Sequence, residues 1–437
     1  MSHPARGFLI AAPQSGAGKT TLTLALLRAL KNAGRSVASA KSGPDYIDPK
    51  FHEAASGCTC INLDAWAMAP EVLRQLAWDH ARGDDLLLVE GAMGLFDGAA
   101  NGSGSAADLS VHLGLPVVLV VDCAKQAQSV AALVAGFRNF RTGVAVAGVI
   151  LNRVGSVRHE SMLRNALDPL DVTVVGAIPR SEALRLPERH LGLVQAGEHP
   201  DLPAFLDLAA EICAGHLDLG ALEALSEPLG PAGHKAGSVL PPPGQHIAVA
   251  SDIAFAFAYP HLLEGWKKEG AEISFFSPLA DEAPDSHADA VYLPGGYPEL
   301  HAGILARADR FKSGVRTAAS RGALVYGECG GYMALGEGLI DADGTRHGMI
   351  GLLPHATSFA TRKRQLGYRS VTPLAAMPWQ GRLSAHEFHY ATIVSEGPGE
   401  RLFAARDAEG NQLPEMGLRC GSVMGSFAHV ISQTQVT

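Results

Sequence analysis

Positive charge is in short supply. The 437 residues carry 35 lysines and arginines against 44 aspartates and glutamates, a formal net charge of −9. That balance gives no general attraction to nucleic acid or to an anionic membrane, so an anionic small substrate must be held by local basic groups. Cysteine is equally sparse, with six residues at positions 58, 60, 123, 213, 329 and 420 and no CxxC pair. A disulfide framework is excluded, and the single residue between Cys58 and Cys60 is poor spacing for a zinc knuckle. No apolar run approaches the roughly 20 residues of a membrane span. The apolar segment nearest the N-terminus, residues 8–12, is shorter than a signal-peptide core. A cytoplasmic protein that binds neither membrane nor nucleic acid is expected. Low-complexity tracts are also missing, and 47% hydrophobic with 18% charged residues is a globular composition.

What is present alternates. In the first half, apolar runs at 8–12, 37–40, 86–89, 117–121, 146–151 and 174–178 separate longer helix-like stretches. Runs apolar on every residue suit parallel strands buried on both faces, which predicts a doubly wound α/β sheet. Several runs end in a polar residue, as at Glu90, Asp122 and Asn152-Arg153. Ligands of open α/β sheets bind at the carboxyl ends of strands, so these residues point at a site. Residues 226–245 are rich in proline and glycine and read as a linker between a first α/β domain over 1–225 and a second over 246–437. In that second domain further apolar runs lie at 247–250, 273–276, 291–293 and 323–326.

Directly after the first strand comes Pro13-Gln14-Ser15-Gly16-Ala17-Gly18-Lys19-Thr20, followed by a helical run over 21–30. A glycine-rich strand-to-helix loop presents N–H groups to phosphates, with Lys19 reaching the β and γ oxygens and the Thr20 hydroxyl placed for Mg²⁺. Ser15, Gly16, Ala17, Gly18, Lys19 and Thr20 are therefore the ATP-binding candidates. Pro13 stands where the motif usually has its first glycine, and Gln14 where partitioning ATPases carry a second lysine, which argues against a partitioning switch. Glu90 is the candidate acidic ligand of Mg²⁺. Asp45 and Asp48, just beyond the second strand, can face the same metal or the substrate, or else close an Asx turn.

A second chemical signature is Gly327-Glu328-Cys329-Gly330-Gly331, between an apolar strand and a helix-like segment. Small residues flanking a nucleophile are what a strained strand-to-helix elbow needs, and the helix N-terminus is expected to lower the Cys329 pKa. The glycines of Leu293-Pro294-Gly295-Gly296-Tyr297-Pro298, with Gly330, are candidates for an oxyanion hole. The base is left open among His386, His389 and His429. The two histidines of His386-Glu387-Phe388-His389 are one residue short of the i, i+4 spacing that binds zinc on a helix.

Taken in order, these segments resemble the cobyrinic acid a,c-diamide synthase family, which includes the hydrogenobyrinic acid a,c-diamide synthases of the aerobic cobalamin pathway. The resemblance runs over essentially the whole chain. It is carried by the loop 12–20, by Gly43-Pro44-Asp45-Tyr46-Ile47-Asp48-Pro49, by the segments 89–98 and 186–193, by Phe276-Ser277-Pro278-Leu279, by Gly295-Gly296-Tyr297-Pro298-Glu299 and by the cysteine and histidine motifs already quoted.

The resemblance implies a dethiobiotin-synthase-like P-loop domain that phosphorylates a substrate carboxylate, with Mg²⁺ as cofactor and ATP as cosubstrate. It implies a class I glutamine amidotransferase-like domain in which Cys329 forms a γ-glutamyl thioester and His429 is its partner, with Gly296 and Gly330 as the oxyanion hole. Thr20, Asp48 and Glu90 would hold the metal, Asn152 and Arg153 the adenine end, and Asp45 and Tyr46 the reacting side chain. Its partners would be a corrinoid polycarboxylate, ATP and L-glutamine, with a homodimer as the candidate assembly. Lys41, Arg153, Arg180, Arg189 and Arg362-Lys363-Arg364 are the basic groups available to a polycarboxylate. Related triad enzymes carry a glutamate two residues after the histidine, where this chain has Ile431, so the pair lacks its usual third member. Amidation of other corrinoid side chains, as in cobyric acid synthase, and an ATPase switch without transferase chemistry are the alternatives.

Overall fold

The computed structural model describes residues 5–186, 188–189, 192–193, 196–198, 201–230 and 239–433. The chain divides into two compact units, Met1–Gly237 and Ser238–Thr437.

In the first unit, β1 (Arg6–Ala11), β2 (Val37–Ser42), β3 (Cys60–Leu63), β4 (Leu86–Glu90), β5 (Val117–Asp122), β6 (Val146–Val154) and β7 (Thr173–Pro179) form a sheet in the order β3-β2-β4-β1-β5-β6-β7. All of these pairings are parallel. The uninterrupted apolar runs follow from burial on both faces. Phe8 and Ile10 of β1 share one core with Leu22, Leu26 and Leu30 of α1 (Lys19–Asn32) and with Leu206 and Cys213 of a helix over Leu202–His216. The apolar-run pattern does not flag β3, because Cys60–Leu63 is four residues long and includes Asn62. Within the stretch read as a linker, β8 (Glu227–Pro228) pairs antiparallel with the start of β1, and Ser226 is buried. Residues 231–238 of that stretch lie outside the described residues.

In the second unit, β9 (His246–Ala250), β10 (Glu272–Phe276), β11 (Ala290–Leu293) and β12 (Leu324–Glu328) are followed by β13 (Gln365–Pro373), β14 (Leu383–His389), β15 (Glu400–Arg406), β16 (Gln412–Cys420), β17 (Val423–Ser426) and β18 (Ala428–Gln433). They make a ten-stranded sheet in the order β10-β9-β11-β12-β17-β16-β15-β13-β14-β18. The half from β10 to β17 is parallel and the remainder antiparallel. Apolar runs mark four of the five strands of the parallel half and miss β17, which carries Gly425 and Ser426. The antiparallel strands have half-exposed faces, as in β13, where Gly367, Tyr368 and Arg369 interrupt the apolar pattern. Among the described residues no helix is long and apolar enough to cross a membrane.

The two units share one device: a strand at the middle of the sheet runs into a glycine-rich turn and then a helix. After β12, Cys329 takes φ 47° and opens the helix Gly330–Leu335. A side chain at Gly331 would collide with the Leu293 carbonyl at the end of β11, so this glycine lets the helix start directly against the sheet. Gly331→Ala is accordingly expected to destabilise the protein by about 1–3 kcal/mol. A lowered urea midpoint, followed through Trp266 and Trp379 fluorescence, checks this.

Candidate active sites

The first site forms at the carboxyl ends of β1, β2 and β4. Gly16 and Gly18 have φ of 78° and 89°, a left-handed conformation that turns the loop into α1. Asn152 on β6 clamps this loop from behind, its Nδ2 donating to Ala17 O at 2.8 Å. Ser15 and Gly16 are exposed at the mouth, whereas Lys19 is buried and donates to Met93 O at 2.5 Å. Burial, offset in part by Glu90, holds Lys19 below the ordinary lysine value.

Beneath the loop lies a buried charge cluster. Glu90 ends β4 fully buried, and Lys41 of β2 is its neighbour in register. Lys41 Nζ donates to Glu90 Oε1 at 2.8 Å and to Asp48 Oδ2 at 2.6 Å. Thr20 Oγ1 lies 2.7 Å from Glu90 Oε1 and 3.3 Å from Asp48 Oδ2. On the other side, Glu90 Oε2 is 2.7 Å from His52 Nε2, and His52 Nδ1 is 3.5 Å from Cys60 Sγ. Burial opposes ionisation of Glu90, but Lys41 and His52 outweigh it and hold the carboxyl well below its usual range. Burial likewise opposes charge on Lys41 and His52. Asp48 and Glu90 nevertheless raise Lys41 above its ordinary value, and Cys60 together with Glu90 pushes His52 up to about 10. Asp48 goes the other way, to about 7, because burial and Asp45 outweigh Lys41.

Lys41 therefore does not stand open to a polycarboxylate, as its basic character led us to expect; it is 3% exposed and neutralises the protein's own carboxylates. Asp45 Oδ1 accepts from the N–H groups of Ile47 and Asp48, so it does close an Asx turn, with Oδ2 4.0 Å from Lys41 Nζ. Tyr46 beside it is half-buried. Arg153, at φ 58°, pairs with Asp122 at 2.5 Å. Arg180 and Arg362-Lys363-Arg364 are exposed, and the side chain of Arg189 lies outside the described residues. His52 was not singled out by the sequence; its only signal is a place four residues into the helix Asp48–Ser56 that follows the Asp45 turn.

The second site surrounds Cys329, where the elbow predicted from the glycines is present. The Cys329 N–H donates to Ser426 O on β17 at 2.8 Å, and the sulfur lies 3.8 Å from Phe388 O on β14. A Cβ placed on Gly295 would sit 2.9 Å from His429 Nε2 and 3.3 Å from Cys329 Cβ, so only a glycine fits between the two. A Cβ on Gly330 would lie 3.0 Å from Gly296 N, which brings the two oxyanion-hole candidates together. His386 faces His429 across the β14–β18 pairing, while His389 stacks on Phe427 at 3.9 Å and bonds Glu387 at 3.0 Å. Of the three histidines left open above, His429 is the one whose Nε2 flanks Gly295 opposite Cys329.

The expected lowering of the Cys329 pKa is not what this environment does. Burial, then Glu299, pushes the thiol up, and the Gly330 N–H only partly counters them. Burial, with His386 and His389, pushes His429 down to about 3. The resting pair is a neutral thiol beside a neutral imidazole. Glu328, immediately before Cys329, is not among the candidates the sequence offers, yet its Oε2 stands 3.8 Å from His429 Nδ1. A glutamate ending an otherwise apolar strand was its signal.

Two family models match this chain. Residues 8–194 match the CobQ/CobB/MinD/ParA nucleotide binding domain and residues 246–436 the CobB/CobQ-like glutamine amidotransferase domain. The chain is similar to the hydrogenobyrinate a,c-diamide synthase of Brucella anthropi, with 61% identity over 98% of each chain. It is also 60% identical to that of Rhizobium meliloti, over 97% of this chain and 99% of the relative, and 52% identical to that of Mesorhizobium japonicum, over 98% and 99%. With a nucleotide-binding unit, a glutamine amidotransferase unit and full-length relatives of one kind, the chain belongs to the hydrogenobyrinate a,c-diamide synthase family of amide-forming enzymes.

Proposed function

We propose that this protein uses ATP and glutamine to amidate the a and c acetate carboxylates of hydrogenobyrinic acid, the cobalt-free corrinoid for which its relatives are named. The observation that carries the reading is the presence in one chain of a P-loop backed by buried acidic groups and a glycine-walled Cys329–His429 pair.

At the first site, the loop N–H groups and Lys19 bind the ATP phosphates and orient the γ-phosphoryl group toward a substrate carboxylate held near Asp45 and Tyr46. Thr20, Asp48 and Glu90 supply hard oxygen donors within hydrogen-bond reach of one another, a set that fits Mg²⁺ bound by few protein ligands and by phosphates. When bound there, Mg²⁺ neutralises phosphate charge. His52 and Lys41 keep Glu90 ionised and oriented for that task. Phosphoryl transfer yields an acyl phosphate; ammonia attacks its carbonyl carbon and phosphate leaves.

At the second site, Cys329 Sγ attacks the γ-carboxamide carbon of glutamine while His429 Nε2 takes the thiol proton and returns it to the departing ammonia. The N–H groups of Gly296 and Gly330 receive the oxyanion. Water then cleaves the γ-glutamyl thioester and releases glutamate. Because burial holds the resting pair neutral, the thiolate forms only as His429 takes the proton.

Cys329→Ala is expected to abolish glutamine-driven synthesis, by about a thousandfold or more, and to leave ammonia-driven synthesis near the parent rate. Retention of glutamine-driven synthesis in that variant excludes Cys329 as nucleophile. Hydrogenobyrinic acid incubated with ATP, Mg²⁺ and glutamine should gain two amides by mass spectrometry, and a product without them refutes the substrate assignment. His52→Ala should weaken the apparent Mg²⁺ affinity of ammonia-driven synthesis by about 10–100-fold, measured by Mg²⁺ titration.

A further inference from the structure

In triad hydrolases a carboxylate holds the imidazole through Nδ1 so that Nε2 faces the nucleophile. The position two residues after His429 is Ile431, a buried aliphatic residue that cannot do this. The carboxylate beside His429 arrives instead from β12, a strand that does not pair with β18. Glu328 is the last residue of β12 and is 1% exposed. Its Oε1 accepts from the Val430 N–H at 2.9 Å, which docks the carboxylate on the backbone of β18 next to His429 itself. Tyr326 OH donates to Oε1 at 3.0 Å and Tyr292 OH to Oε2 at 2.7 Å. The two tyrosines are register partners on β11 and β12 with stacked rings, so their hydroxyls reach the carboxylate together. Oε2, the oxygen held by Tyr292, is the one 3.8 Å from His429 Nδ1. On the far side of the ring, Nε2 flanks Gly295 opposite Cys329.

We propose that Glu328 is the third member of the catalytic triad, supplied from the residue before the nucleophile and acting on His429 as its positioning carboxylate. The inference rests on the reading of Cys329 and His429 given above. The 3.8 Å separation is longer than a hydrogen bond, and contacts of this kind tighten when substrate and charge are in place. In the step itself the Sγ–H bond breaks and an Nε2–H bond forms. The Nδ1 proton stays on the ring, and Glu328 stays ionised, stabilising the imidazolium beside the thiolate. Three donors to a buried carboxylate, two hydroxyls and one N–H, favour this ionised form, whereas burial opposes it and pushes the carboxyl up to about 7. The other ionisable groups facing the pair are Cys329, His386 and His389, with Glu299 and Glu387 near the thiol.

Because the carboxyl is raised, Glu328 loses its charge as pH falls through about 7, and glutamine-driven turnover should fall with it. Glu328→Gln keeps the shape and removes the charge. Its expected effect is a fall of at least about a hundredfold in kcat for glutamine-driven synthesis, with KM for glutamine within about threefold of the parent. Ammonia-driven synthesis should be unchanged, and the rise of kcat with pH around neutrality should disappear. Alkylation of Cys329 by iodoacetamide should slow in parallel. Glu328→Asp, which retains the charge but withdraws it by one methylene, should fall between the two.

A folded Glu328→Gln protein with kcat within threefold of the parent and an unshifted pH profile overturns the inference. If the glutamine variant does not fold, an aspartate variant with parent kcat and pH profile overturns it equally. Loss of glutamine-driven activity in Cys329→Ala but not in Glu328→Gln would remove only this inference; retention in Cys329→Ala would remove the nucleophile reading beneath it.

Discussion

A carboxylate removed from water must be surrounded by donors and cations or give up its charge, and both halves of this protein are organised around one such group. Glu90 and Glu328 each end a strand within a parallel stretch of sheet, and both side chains are essentially inaccessible. At Glu90 the compensation is strong: Lys41, His52 and Thr20 all reach it, so it remains ionised under a phosphate-binding loop. At Glu328 the compensation is softer, with two tyrosines and one N–H. That group is poised near neutrality.

This difference matches the two chemistries. A nucleotide site needs permanent charge, because phosphates and the metal that accompanies them are charged at all times. In the unit that matches a glutamine amidotransferase domain, the groups beside Glu328 are instead held neutral by burial. Burial of Cys329 and His429 keeps the resting pair neutral, and the strained backbone at Cys329 leaves the sulfur at the turn where small glycines surround it. Lys41 shows the same logic from the cationic side: its charge is consumed within the protein and is not displayed to the substrate.

Much of this was legible because the chemistry sits at strand ends. Six of the seven main strands of the first sheet appear as apolar runs, and the phosphate loop, Glu90, Asp48 and Cys329 follow from residue type and spacing alone. β3, β17 and the antiparallel half of the second sheet do not appear, because short strands with a polar residue and strands with one exposed face carry no continuous apolar signal. The expected lowering of the thiol pKa failed for a related reason. A helix N-terminus is visible in sequence, but the burial and carboxylates that oppose it come from distant segments.

Local sequence, then, determined the α/β class, the glycine-rich loop and the strand-to-helix turn at Cys329, since each depends on neighbours a few residues apart. Only the tertiary structure decided which histidine faces Cys329, what Lys41 neutralises, and which carboxylates stand beside His52 and His429. Those relations join residues as far apart in sequence as Glu328 and His429, or His52 and Glu90, and only the packing of whole strands and helices brings them within reach.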